Sequence, residues 1–171
     1  KAKVMTLTVG GNDVIHVIKD NITNLNVATF TKPAQAYQKR LGQIIELARK
    51  ENKTLPIYIV GIYNPFYLNF PEMTEMQTIV DNWNQSTEEV CKKYDNVYFV
   101  PVNDLLYKGI DGKDGVTSSD DTSQSSKSSQ DSLNDALFED DHFHPNNTGY
   151  QIMSDAILKR INQTKKEWSG E

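Results

Sequence analysis

Cysteine is nearly absent from this 171-residue chain, and the single one, Cys91, excludes an internal disulfide and any multi-cysteine metal site. Set in Glu-Glu-Val-Cys-Lys-Lys-Tyr on an expected helix, it reads as a small core-facing thiol. A basic excess is missing too: 18 Lys and Arg stand against 23 Asp and Glu, a formal charge of −5. That balance shows none of the clustered cations of a nucleic-acid footprint, so no nucleic-acid partner is expected. No apolar run approaches the roughly 20 residues of a membrane-spanning helix. Histidine occurs only at positions 16, 142 and 144, which confines imidazole chemistry to two places.

What is present alternates between strand-sized and helix-sized patterns. Residues 3–9 read as a strand ending in the turn Gly10-Gly11-Asn12-Asp13, with a short helix through Val14–Ile18. From Pro33 to about Asn52, Ala36, Tyr37, Leu41, Ile44, Ile45, Leu47 and Ala48 recur at helical spacing, with Pro33 suited to the first turn. Pro56–Tyr63 is a continuous apolar run, expected to be a strand buried on both faces. An aromatic loop, Asn64–Pro71, leads to a second long helix over 73–94, with Met76, Ile79, Val80, Trp83, Val90 and Cys91 or Tyr94 inward. A third strand, Val97–Val102, and a final helix from Pro145 to about Lys165 complete the pattern.

Crossovers of helical length between strands predict a parallel sheet with packed helices, an α/β domain spanning 1–171. Residues 111–135 are Gly, Ser, Asp, Thr, Gln and Lys with almost nothing apolar. They cannot offset their ordering entropy, so a mobile polar insertion without chemistry of its own is expected.

Three places could carry chemistry. In Asp140-Asp141-His142-Phe143-His144-Pro145, an acid three residues before a histidine can orient an imidazole acting as general base. Pro145 is expected to start the helix that anchors this turn. The same residues could instead cap that helix and solvate a loop, or bind a divalent metal through His142, His144 and Asp140 or Asp141. Gly10–Asp13 follows a strand and so lies at the carboxyl end of the sheet, where α/β domains place their sites. Its glycines, Gly11 among them, would let a ligand approach the backbone, and Asn12 could donate to an oxyanion, worth about 3 kcal/mol in comparable sites. Equally, it could be an ordinary turn with Asn12 or Asp13 capping a helix. The loop Tyr63–Phe70, with Asn64, Pro65 and Phe66, could line an apolar substrate pocket or simply anchor itself. His16, one turn into a helix, reads as structural.

Gly-Gly-Asn-Asp after a strand and Asp-x-x-His-Pro before the last helix, joined by Tyr-Asn-Pro-Phe after the second strand, resemble the SGNH family of GDSL-type lipases, acylhydrolases and esterases. The resemblance implies a three-layer α/β/α, flavodoxin-like fold and carboxylic ester hydrolysis by a Ser-His-Asp triad without a cofactor. On it, His144 would be the general base, Asp141 its orienting carboxylate and Asn12 an oxyanion donor, acting on a small-molecule or lipid ester.

One part of that pattern is missing. The family's serine sits in a Gly-Asp-Ser block after its first strand, and no such block, nor a Gly-x-Ser-x-Gly, occurs here; most serines lie in the polar insertion. The chain also opens on Lys-Ala-Lys directly before a strand, without an initiator Met. The expectation is therefore a chain truncated at its amino end, inactive as it stands, whose parent is a serine esterase. The resemblance further implies an exported or cell-surface bacterial protein with any signal or anchor upstream. A strand would then be missing beside 3–9, leaving an edge open to self-association. A metal-dependent hydrolase and a non-catalytic binding module on the same scaffold are the competing expectations.

Overall fold

The apolar run after Pro56 forms the centre of the molecule. In the computed structural model, which describes residues 2–21, 25–110 and 134–170, it is strand β2 (Ile57–Val60), buried at every residue. β1 (Met5–Thr8) and β3 (Val97–Val100) flank it, both parallel, in the order β1-β2-β3. The register pairs Met5 with Ile57 and Ile57 with Val97. Parallel pairing follows from the crossover helices, α2 (Thr31–Ala48) before β2 and α3 (Thr74–Cys91) before β3.

Strand periodicity divides the side chains into two cores. Ile57, Ile59 and Val97 face the layer of α1 (Gly11–Asp20), α2 and α3. Tyr58, Val60, Tyr98 and Val100 face α5 (Asn147–Trp168), so the arrangement is a three-layer α/β/α sandwich. α5 is fastened by a buried polar cluster in which the Tyr58 hydroxyl meets Thr164 Oγ1 at 2.7 Å and accepts from Trp168 Nε1 at 3.0 Å. Such groups are stable in a core because their hydrogen bonds are made.

β1 differs from β2. Met5 and Leu7 are half-buried against the first core, whereas Thr6 and Thr8 on the other face are exposed. Its outer edge has no partner strand among the described residues.

Several boundaries depart from the sequence expectations. α1 begins at Gly11, so Asn12 lies inside the helix and neither it nor Asp13 caps it. Gly10 holds the capping position at φ 103°, and a Cβ there would fall 2.9 Å from Trp83 Nε1 and 3.1 Å from the Tyr37 ring. Gly11 has open space around it, so only the first glycine is sterically required. Pro145 does not start the last helix. It bridges Leu137, and Asn146 caps α5 by accepting from the Thr148 and Gly149 N–H groups. On α2 the buried row is Tyr37, Leu41 and Ile45 alone, at strict i, i+4 spacing; Leu47 is 72 % exposed. A 3-10 turn (Val27–Phe30) and the short α4 (Asn103–Leu106) have no clear periodic signal.

Of the expected polar insertion, residues 111–133 lie outside the described residues. Its last two residues are anchored. Asn134 is buried and donates to Leu106 O at 2.7 Å, and Asp135 Oδ1 accepts from Ile110 N at 2.7 Å.

Candidate active site

A cleft of about 450 Å³ opens at the carboxyl ends of β1 and β2, where parallel α/β sheets gather their functional groups. Thr8 through Asp13 form one wall, Gly61, Ile62 and Tyr63 the floor, and Phe143, His144, Tyr150 and Met153 the other wall. Asn12 and His144, which stand 132 positions apart in the chain, therefore line one cavity.

The wall carrying His144 is built locally. The Asp141 carboxylate accepts from Phe143 N at 2.9 Å and His144 N at 3.0 Å through Oδ1, and meets His144 Nδ1 at 2.7 Å through Oδ2. His142, at φ 51°, supplies the left-handed step that lets the chain turn back over its acid. Phe138 N donates to His144 O and His142 N to Phe138 O, each at 2.8 Å. With the carboxylate on Nδ1, a neutral ring carries its proton there and leaves a lone pair on Nε2, which has no partner among the described residues. The His144 bond, then the two backbone N–H bonds, hold the Asp141 carboxyl down at about 2, so it stays ionised through the neutral range.

The opposite wall is the first turn of α1. Its leading N–H groups have no intrahelical acceptor and lie at the positive end of the helix dipole. The Asn12 side chain is exposed and has no hydrogen-bond partner among the described residues, which leaves its amide free to donate into the cleft. Asp13 is taken up by an ion pair with Arg40.

The remaining expected site residues fall elsewhere. Asn64 is 1 % exposed; its Oδ1 accepts from Phe66 N at 3.0 Å and its N–H donates to Asn103 Oδ1 at 2.9 Å. Together with buried Pro65 it fixes the loop from beneath rather than lining the cleft. Phe66 reaches the cleft only indirectly, its ring 6.1 Å from that of Phe143. His16 is an exposed partner of Asp20, and Cys91 is buried in the core, its thiol pushed up to about 12 by burial. Among the described residues no three His, Cys, Asp or Glu side chains converge on a cation-sized space. The Asp141 carboxylate, the best candidate ligand of the His142–His144 cluster, already has both oxygens engaged.

Tyr63, the first residue of the loop expected to line a pocket, does line the cleft, and sequence reasoning missed three further contributors. Tyr150 and Met153 line the cleft, and Asn84 clamps the end of β2, accepting from Ile62 N and donating to Ile62 O, both at 2.8 Å. Gly61 was the available signal for Asn84: a Cβ there would sit 2.8 Å from Asn84 Oδ1. No serine lines the cleft among the described residues; its aliphatic hydroxyl is Thr8.

Comparison with known proteins agrees with this architecture. The GDSL-like Lipase/Acylhydrolase family matches residues 1–152. A Bacillus subtilis (strain 168) protein named "Uncharacterized protein YpmR" is 31% identical over 166 residues, covering 97% of this chain and 55% of the relative. The chain thus spans about half the length of the curated relative it matches. It belongs to the GDSL-like lipase/acylhydrolase family.

Proposed function

We propose, from that membership, that the chain carries the acid–base half of a serine ester hydrolase. His144 serves as general base, Asp141 as its orienting carboxylate and Asn12 as an oxyanion donor. The observation that carries this reading is the Asp141–His144 pair at 2.7 Å, whose free Nε2 shares a cleft with the unpartnered Asn12 amide.

In the proposed reaction a serine Oγ attacks the acyl carbonyl carbon while its proton passes to His144 Nε2. The imidazolium so formed is stabilised by the ionised Asp141. Negative charge on the carbonyl oxygen is met by Asn12 and the first N–H groups of α1. Collapse of the tetrahedral intermediate expels the alcohol, which takes the proton from His144. Water, deprotonated by the same ring, then releases the carboxylic acid from serine. Ile62, Tyr63, Phe143, Tyr150 and Met153 give the cleft an apolar side suited to the acyl or alcohol group of a small-molecule or lipid ester.

The serine is proposed to come from polypeptide beyond these 171 residues, on a strand pairing with the open edge of β1. Such a strand would run parallel to β1 about 4.8 Å away and end at the same cleft. Without it the chain is inactive, and the edge is free to pair with a second copy. An exported or cell-surface location belongs to the same proposal and is tested by fractionating cells that make the whole protein.

The reading is tested with a short-chain nitrophenyl ester. The chain alone should give no turnover above background, and fusion to the preceding segment of its parent should give turnover that His144→Ala lowers at least about ten-thousand-fold. Turnover by the present chain that survives His144→Ala would overturn it. Turnover lost in Thr8→Val would move the nucleophile onto β1 itself.

A further inference from the structure

Tyr63 has a part in this cleft that goes beyond lining it. It lies three residues after β2, and the clamp of Asn84 on both backbone groups of Ile62 fixes the direction in which it leaves the sheet. Its hydroxyl donates to the Phe143 carbonyl oxygen at 2.6 Å, across 80 residues of sequence. Burial, then the nearby Tyr150 and Asp141, push the phenol well above its ordinary range, so it remains protonated and remains a donor.

The acceptor is the carbonyl of the peptide group whose N–H belongs to His144. That one peptide plane is therefore held at both ends, its oxygen by the Tyr63 hydroxyl and its N–H by Asp141 Oδ1. The other Asp141 oxygen holds the His144 ring. The remaining hydrogen bonds of the turn, from Phe138 N, His142 N and Phe143 N, close within the segment and set its shape. The bond from Tyr63 ties that shape to the sheet, and hence to the α1 wall. Withdrawing electron density from the carbonyl also makes the His144 N–H a better donor to Asp141, since hydrogen bonds in series reinforce one another.

We propose that Tyr63 is a positioning residue for His144, holding the 143–144 peptide plane so that the ring keeps its Nδ1 on Asp141 and its Nε2 toward the cleft. The proposal rests on the reading of His144 as the base, but its test does not require turnover. The full 171-residue chain, labelled with nitrogen-15 in histidine, is examined by NMR with its imidazoles neutral, as wild type, Tyr63→Phe and Asp141→Asn. Wild type should show the neutral His144 ring as a single tautomer protonated on Nδ1. Tyr63→Phe should give averaged ring-nitrogen shifts at His144, as Asp141→Asn should, with the shifts of His16 unmoved. A Tyr63→Phe variant that kept the single Nδ1-protonated tautomer would overturn the proposal. Should that variant not fold, wild type alone decides: a Tyr63 hydroxyl proton in slow exchange supports the bond, and one in fast exchange overturns it. Failure of the esterase reading would appear instead as absent turnover in the serine-bearing protein, leaving this tautomer measurement intact.

Discussion

The turn around His144 and the strand β1, whose last residue Thr8 begins the facing wall, border one cleft and are built in opposite ways. The turn is nearly self-sufficient: Asp141 satisfies three donors within three residues, and Phe138, His142 and His144 bond one another. Asn146 and Gly149 then seat it on a 22-residue helix. β1 depends on contacts far away in sequence, has four residues, and among the described residues is paired on one side only, with Thr6 and Thr8 exposed. An acid–base pair can be carried by a short segment, because its geometry is local. A nucleophile aligned with that pair needs the sheet, and among the described residues the sheet ends at β1, the edge on which the proposed serine-bearing strand would pair.

That contrast can be broken most severely at Asp141. In the serine-bearing protein proposed above, Asp141→Asn should reduce kcat about ten-thousand-fold, because the ring loses the partner that fixes its tautomer. A pH effect accompanies it in the chain alone. Asp141 titrates near 2 against an ordinary 3.8, so the order it confers on the turn is present above 3.8 and lost as pH falls through 2. Protection of the Phe143 and His144 amides, taken relative to their intrinsic exchange rates, should be lost as pH falls across that window in wild type, and already be low on both sides of it in Asp141→Asn.

Gly149→Ala tests the seating of the turn. A Cβ at 149 would run into the Ala136 carbonyl oxygen and fall 2.8 Å from Pro145 Cβ, and neither backbone can yield alone. Urea unfolding should show a loss of about 3 kcal/mol, with α5 and the turn separating. A neutral result would mean that the turn is less tightly closed than described.

The smallest effect is expected at the other wall. If copies of the chain associate through β1, Thr6→Lys places a charge on the exposed face of that edge. It should weaken association several-fold in sedimentation velocity and leave the unfolding midpoint within roughly 0.5 kcal/mol of wild type. Association unaffected by this change would place the contact elsewhere.

The same contrast explains what could be read in the sequence. Three parallel strands and their crossover helices were visible because periodicity is a local signal, and Val90, Cys91 and Trp83 face the core as that signal indicates. Asp141 and His144 were legible for the same reason, being three residues apart. The bond of Tyr63 to the Phe143 carbonyl was not, since its two ends are 80 residues apart. Whether Asn64 would line a pocket or anchor its loop stayed open in the sequence; it anchors the loop, since its side chain folds back onto Phe66 N and is buried. Pro145 suggested a helix start that Asn146 makes instead, a side-chain cap outweighing a favourable φ.

Covalent labelling with a fluorophosphonate locates the nucleophile, since the probe reacts far faster with a serine hydroxyl activated by its base than with other groups. The 171-residue chain should take up no label. Extended by the preceding segment of its parent, it should take one label, on a serine outside these residues, and lose it in His144→Ala. A label recovered by mass spectrometry on any residue of the chain itself would contradict the account.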